Sequence, residues 1–209
     1  MGEVLDQAFT EQRLLDAWSE VRDAALADGD AGPEVEQFEK NAARHISDLA
    51  AALADGTFEP HPVVRVEIAK PGGGVRKLAV PGVIDRIAER ALLAELDALV
   101  DPLLLPWSFA SRHGLGVRDA LASLAEARDA GAAWVARCDI DDCFEHIPRW
   151  EVLRRLRDVV PDEAAVDLVR RLMDRPVVGE HVGHAGRGLG LHQGSPLTPP
   201  TQKAISVLR

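Results

Sequence analysis

Between Pro62 and Pro81 the hydrophobic pattern changes period, and that change limits what the whole chain can fold into. Val64, Val66 and Ile68 alternate with Arg65, Glu67 and Ala69, so an extended strand here has one apolar face. Pro71-Gly72-Gly73-Gly74 supplies a turn, Val75 to Val80 returns as a second strand, and Pro81 ends it. The expected product is a hairpin with a glycine tip and basic flanks. On both sides the period is helical. Leu14, Leu15, Trp18, Val21 and Ala25 predict a helix over Glu11–Ala27, ended by the stretch from Asp28 to Pro33. Phe38, Ala42, Ile46, Leu49 and Leu53 predict a second helix, closed by Asp55-Gly56. After the hairpin, Ile84, Ile87, Ala88, Ala91, Leu92, Leu96 and Leu99 form a long helical stripe, with Asp85, Arg86, Glu89 and Arg90 on the polar side. Further helices are expected around Val117–Leu124, after Pro148 (Trp150, Leu153, Leu156), and from Ala165 to Met173. Trp134 to Cys138 reads as a short strand, and Gly179 to Gly194 as a loop-rich or hairpin segment.

At 46% hydrophobic residues, the 209-residue chain can bury a substantial core. It has neither a leader-like start nor a run of about 18 apolar residues, so a cytoplasmic protein without membrane contact is expected. Cys138 and Cys143 do not make a secreted disulfide framework, and both are expected to be reduced. The formal charge of -10 opposes bulk attraction to nucleic acid. Phosphate affinity would have to come from local clusters of Lys and Arg.

The stretch from Cys138 to Glu145 carries the chemistry. An apolar strand that ends in Asp139-Ile140-Asp141-Asp142 presents carboxylates at a sheet edge, with Asp139 and Asp141 on one face. Such oxygens suit Mg²⁺, and the same residues also fit a solvated acidic turn. No glycine follows Asp141 or Asp142 as a calcium loop of the EF-hand type requires. Zinc is set aside because Cys138, Cys143 and His146 lack a second ligand pair, and Cys138 is expected to point into the core.

Asp139, followed five residues later by Phe144, resembles the first catalytic motif of bacterial reverse transcriptases, especially the group II intron type. The resemblance implies that Asp139 is a catalytic metal ligand, with the Ile140 carbonyl beside it, and that Phe144 lies under the nucleotide sugar. Lys70 to Pro81, followed by Asp85-Arg86, is similar to the family's fingers motif, which implies that Lys70 and Arg76 bind the incoming triphosphate. A mobile glycine turn with an Arg fork and a Lys point charge suits that task independently. Ser108 to Gly116 resembles a third block and marks Arg112, with Asp85 and Arg86, as template-binding. Gly190 to Pro199 resembles the block in which Gln193 and Gly194 contact the nucleotide or template. The blocks run in the family's order over roughly residues 11 to 199. The implied fold is α+β, the fingers and an incomplete palm of a right-hand polymerase, helix-rich with short antiparallel strands.

On this resemblance residues 1–82 are N-terminal helices and the fingers hairpin, 83–148 the first part of the palm, 149–188 a helical fingers part, and 189–209 an incomplete palm motif with a divergent tail. The family's second catalytic turn, aromatic-x-Asp-Asp, is absent from the sequence. The expectation is a chain that stops before that turn and is inactive alone, through a frameshift or premature stop, as a fragment, or as a short protein completed by a partner. An unpaired strand edge at Trp134–Cys138 would make it poorly soluble. The implied partners are an RNA template, a DNA primer and dNTPs with Mg²⁺, in the setting of intron RNA or a CRISPR adaptation integrase. The alternative is a non-catalytic RNA-binding or scaffolding remnant.

Overall fold

The computed structural model describes residues 2–27, 29, 32–70, 73–179 and 188–197. Its sheet is one hairpin, β1 (Val64–Ala69) against β2 (Val75–Val80), antiparallel with Val64 opposite Val80, Val66 opposite Leu78 and Ile68 opposite Arg76. All of β1 is exposed, and β2 buries only Ala79, so the hairpin projects from the body. Its base is anchored by Val63, whose N–H donates to the Pro176 carbonyl (2.9 Å) while its own carbonyl accepts from Val178 (2.9 Å). The helices before it are α1 (Glu3–Ala8), α2 (Glu11–Ala27), α3 (Gly32–Glu39) and α4 (Ala42–Ala54). Those after it are α5 (Val83–Val100), a short 3-10 turn, α6 (Val117–Asp129), α7 (Cys143–His146), α8 (Arg149–Val159) and α9 (Glu163–Met173).

One apolar cluster joins α1 through α5, α8 and α9. α5 is its axis, packed on α1 and α2, and Ile87, Ala88 and Leu92 are fully buried. α8 and α9 pack together and add Val152, Leu156, Val166 and Val169 to it. Asp162 ties α1 to α9. Its Oδ1 accepts from the Ala164 and Ala165 N–H groups and caps α9, and its Oδ2 accepts from Leu5 of α1 at 3.1 Å. A short carboxylate is suited to orphan amides at a helix start. Among the described residues, no helix is long and apolar enough to cross a membrane.

Four expectations require correction. The single helix through Phe38 to Leu53 is two, because the chain breaks at Lys40-Asn41 and α3 starts earlier, with Pro33 in its first turn, where a missing N–H costs nothing. The Asp85–Glu89 side of α5 is not solvated: Asp85 and Glu89 are buried. The segment 132–140 is not a strand, and Trp134 is 93% exposed. Local β propensity makes no strand without a partner, and among the described residues none pairs with it. Cys138 is therefore exposed rather than in the core. The expected helix over Val117–Leu124 does form, yet α6 buries no residue, and Val117, Leu121 and Leu124 face outward.

Asp162→Ala removes a cap and the α1 tie together and is expected to cost about 1–3 kcal/mol, measured as a lower urea midpoint with an unchanged slope.

Candidate nucleotide-binding site

The open end of the hairpin presents its cations to solvent. Lys70 closes the turn through its backbone, donating to the Gly74 carbonyl (3.0 Å) and accepting from Gly73 (3.0 Å), and its side chain is exposed. Arg76 is exposed on β2, on the same face as Val64, Val66 and Ile68. Pro71 and Gly72, at the tip, lie outside the described residues.

A returning segment brings two other sequence blocks to this hairpin. Residues 188–191 run beside 144–149: Arg149 N–H donates to Gly188, Gly190 N–H to Ile147, and Leu191 N–H to Phe144, each at 2.8 Å. The Arg149 guanidinium holds the same turn, donating to the Gly190 carbonyl (2.6 Å) and to Asp174 (3.0 Å). Three residues on, the Gln193 carbonyl accepts from Ala79 of β2 at 2.7 Å. Gly194 follows at φ +108°, where an added Cβ would stand 3.2 Å from the Ala79 carbonyl. Phe144, Gln193, Gly194 and the strand bearing Arg76 are thus one hydrogen-bonded unit. Gln193 is half-buried, Gly194 is exposed, and Phe144 packs partly against the core.

The remaining sequence-derived residues stand elsewhere. Asp139 and Ile140 lie in the exposed 132–140 segment, and the Asp139 carboxylate accepts from the Ile140 N–H at 3.0 Å. Arg112 forks onto Asp101 (2.7 and 2.9 Å) and donates to the Ser108 carbonyl, so it fastens the loop before α6. Asp85 is 1% exposed and accepts from the His61 backbone (3.2 Å) and ring (3.1 Å). Burial pushes its carboxyl above the usual range, against the opposing pull of the His61 N–H and Arg175. Arg86 is half-buried, with Nε enclosed and lacking a hydrogen-bond partner.

Three residues that the sequence reading passed over hold the unit from beneath. Glu89 on α5 is 0% exposed; one carboxylate oxygen pairs with Arg175, and the other accepts from the Ser195 hydroxyl at 2.6 Å. Arg175 also donates to the Leu172 carbonyl (2.7 Å), and its own carbonyl meets His192 Nε2 at 3.0 Å. Burial raises the Glu89 carboxyl while Arg175 and Ser195 pull it back. Burial likewise lowers the His192 imidazole, and the Arg149, Arg175 and Arg65 cations add to that. A signal existed. Asp85 and Glu89 share the stripe of Leu92 and Leu96, at the i, i+4, i+7 and i+11 positions of a buried face.

The acidity has an address as well. Residues 1–60 hold fourteen Asp and Glu against four Lys and Arg, so the whole charge of -10 belongs to that segment and residues 61–209 are balanced. Within the balanced part the hairpin is cationic, with Arg65, Lys70, Arg76 and Lys77 against Glu67.

For a divalent ion, the described residues offer the Asp139 carboxylate and the Ile140 carbonyl, and no group of three or more His, Cys, Asp or Glu is placed to hold a metal. This set fits one side of a Mg²⁺ shell and does not by itself build a two-ion site.

Residues 68–204 match the family described as reverse transcriptase (RNA-dependent DNA polymerase). A COX1/OXI3 intron 1 protein of Saccharomyces cerevisiae is 28% identical over 157 residues, covering 74% of this chain and 18% of that protein. The group II intron-encoded protein LtrA of Lactococcus lactis is 26% identical over 129 residues, covering 61% of this chain and 21% of its own length. This chain therefore spans about a fifth of those two relatives. Among solved structures, a partial Cas6-RT-Cas1–Cas2 complex superposes with a TM-score of 0.52 at 20% identity, over 97% of this chain and 33% of that one. That likeness speaks to the fold, an arrangement of fingers and palm.

Gly194→Ala is expected to cost about 1–3 kcal/mol, because an alanine must hold a left-handed φ while pushing on β2. Gly56→Ala, at φ +69° with open space around it, should cost about 1 kcal/mol, and urea unfolding of the two variants side by side measures the difference.

Proposed function

Because the chain belongs to the reverse transcriptase (RNA-dependent DNA polymerase) family, we propose that it forms the nucleotide- and template-binding half of an RNA-directed DNA polymerase. One observation carries this reading: the hydrogen bonds from Leu191 to Phe144 and from Ala79 to Gln193 join three separate blocks of sequence into one unit beside the cationic hairpin. In it, Lys70 and Arg76 hold the triphosphate, the Arg through a bidentate fork. Phe144 supports the sugar, and the Gln193–Gly194 backbone lies against the nucleotide or template, where a glycine permits close approach. Asp85 and Arg112, already engaged within the chain by His61 and Asp101 respectively, support the template path from behind.

The family uses divalent metal ions, and Mg²⁺ is the ion proposed here. Asp139, with the Ile140 carbonyl, supplies one side of its shell. When bound, the ions draw charge from the reacting phosphate and the attacking hydroxyl. The remaining carboxylates come from outside these 209 residues, on strands that pair with the exposed 132–140 segment and cover Trp134, Val135 and Ile140. The substrates of the completed enzyme are an RNA template, a DNA primer and dNTPs. Its setting is group II intron mobility or CRISPR adaptation, with intron RNA or an adaptation integrase as partner.

Two measurements test this. In primer extension on an RNA template with Mg²⁺, the 209-residue chain should give no product above that of Asp139→Ala; robust synthesis abolished by Asp139→Ala would refute the incompleteness. In calorimetric titration with dTTP, Arg76→Ala should weaken binding about tenfold, as loss of a charge-assisted fork implies. An unchanged affinity removes Arg76 from the site.

A further inference from the structure

The Gln193–Gly194 segment is pressed onto β2 but has no regular secondary structure of its own. Something must fix its height above the hairpin. The ties beneath it are dry and directional. Ser195, immediately after Gly194, donates from its hydroxyl to Glu89 and accepts there from the Leu197 N–H at 3.3 Å, and its own N–H donates to the His192 carbonyl at 3.3 Å. Glu89 divides its two oxygens between Ser195 and Arg175, and Arg175 returns to the segment through its carbonyl at His192. Glu89, Arg175 and Ser195 are 0%, 3% and 8% exposed, so water does not compete for these bonds. Both carboxylate oxygens being committed, the Glu89 side chain has one arrangement, and the serine hydroxyl follows it.

Resting on the reading of Gln193–Gly194 as a nucleotide-contacting segment, we propose that Glu89, Arg175 and Ser195 are positioning residues. They set the distance between that segment and the Arg76-bearing strand from inside the core, and none of them touches the nucleotide. The device differs from bulk packing in a way that can be measured. It acts on the amide of Ala79, which donates to Gln193, and on that of Leu191, which ties the chain just before the segment to Phe144, and it leaves α5 itself in place.

Ser195→Ala deletes the hydroxyl, and Ser195→Thr keeps it. Amide hydrogen exchange on the full chain should be about tenfold faster at Ala79 and Leu191 in Ser195→Ala, with Leu92 of α5 unchanged and Ser195→Thr close to wild type. Affinity for dTTP should fall about fivefold in Ser195→Ala alone. Unchanged exchange at Ala79 and Leu191 overturns the proposal whatever happens to dTTP. A uniform rise that includes Leu92 also overturns it, since that is what a merely structural serine produces. If the wild-type chain takes up no dTTP, the nucleotide reading falls, and the exchange pattern still decides whether the device exists.

Discussion

The buried pair of Glu89 and Arg175 is the interaction on which the arrangement of the site depends. Taking both charges out of water costs several kcal/mol per ion, and their attraction offsets this only when the remaining polar atoms also find partners. Here Ser195, the Leu172 carbonyl and the shared carboxylate meet that condition for most of them. An apolar pair of similar volume could fill the same space at less cost. What it could not do is reach across three separate elements, α5, the turn after α9 and the segment after Leu191, and fix their mutual distance. The charges give orientation where Leu92 and Ile87 give only adhesion.

Much of this was legible. The switch to a period of two fixed the hairpin and both of its ends, because alternation and glycine punctuation are local properties of the chain. Helix α2 and the apolar stripe of α5 followed from the 3.6-residue period in the same way. What local pattern does not carry is which side of a helix the rest of the protein covers. Asp85 and Glu89 look solvated when their neighbours in sequence are consulted, and buried when Leu92 and Leu96 on the same stripe are. The Trp134–Cys138 segment shows the reverse failure: its side chains suit a strand, but a strand is a relation between two segments, and here only one is present among the described residues.

The net charge was misleading as a single number. Spread evenly, -10 would repel a polyanion over the whole surface. Confined to residues 1–60, it leaves the hairpin and the segment docked beside it in a balanced to cationic field. At physiological ionic strength the screening length is about 8 Å, so acidic side chains farther than that from the hairpin act weakly on it. In the proposed function, that division of charge would steer a nucleic acid toward the hairpin side of the molecule.

The two halves of the proposed chemistry therefore differ in how they are held. The framework of the proposed nucleotide side is built from backbone bonds and a buried ion pair contained within the chain, so that framework stands without a ligand. The metal side rests on Asp139 in an exposed stretch whose Trp134, Val135 and Ile140 point outward. In the proposed function, covering those residues and completing the ion shell fall to one element, a neighbouring strand that carries carboxylates. One such strand would serve the apolar surface, a backbone that pairs with no strand among the described residues, and the cation together, which would couple ordering of this segment to assembly of the proposed site.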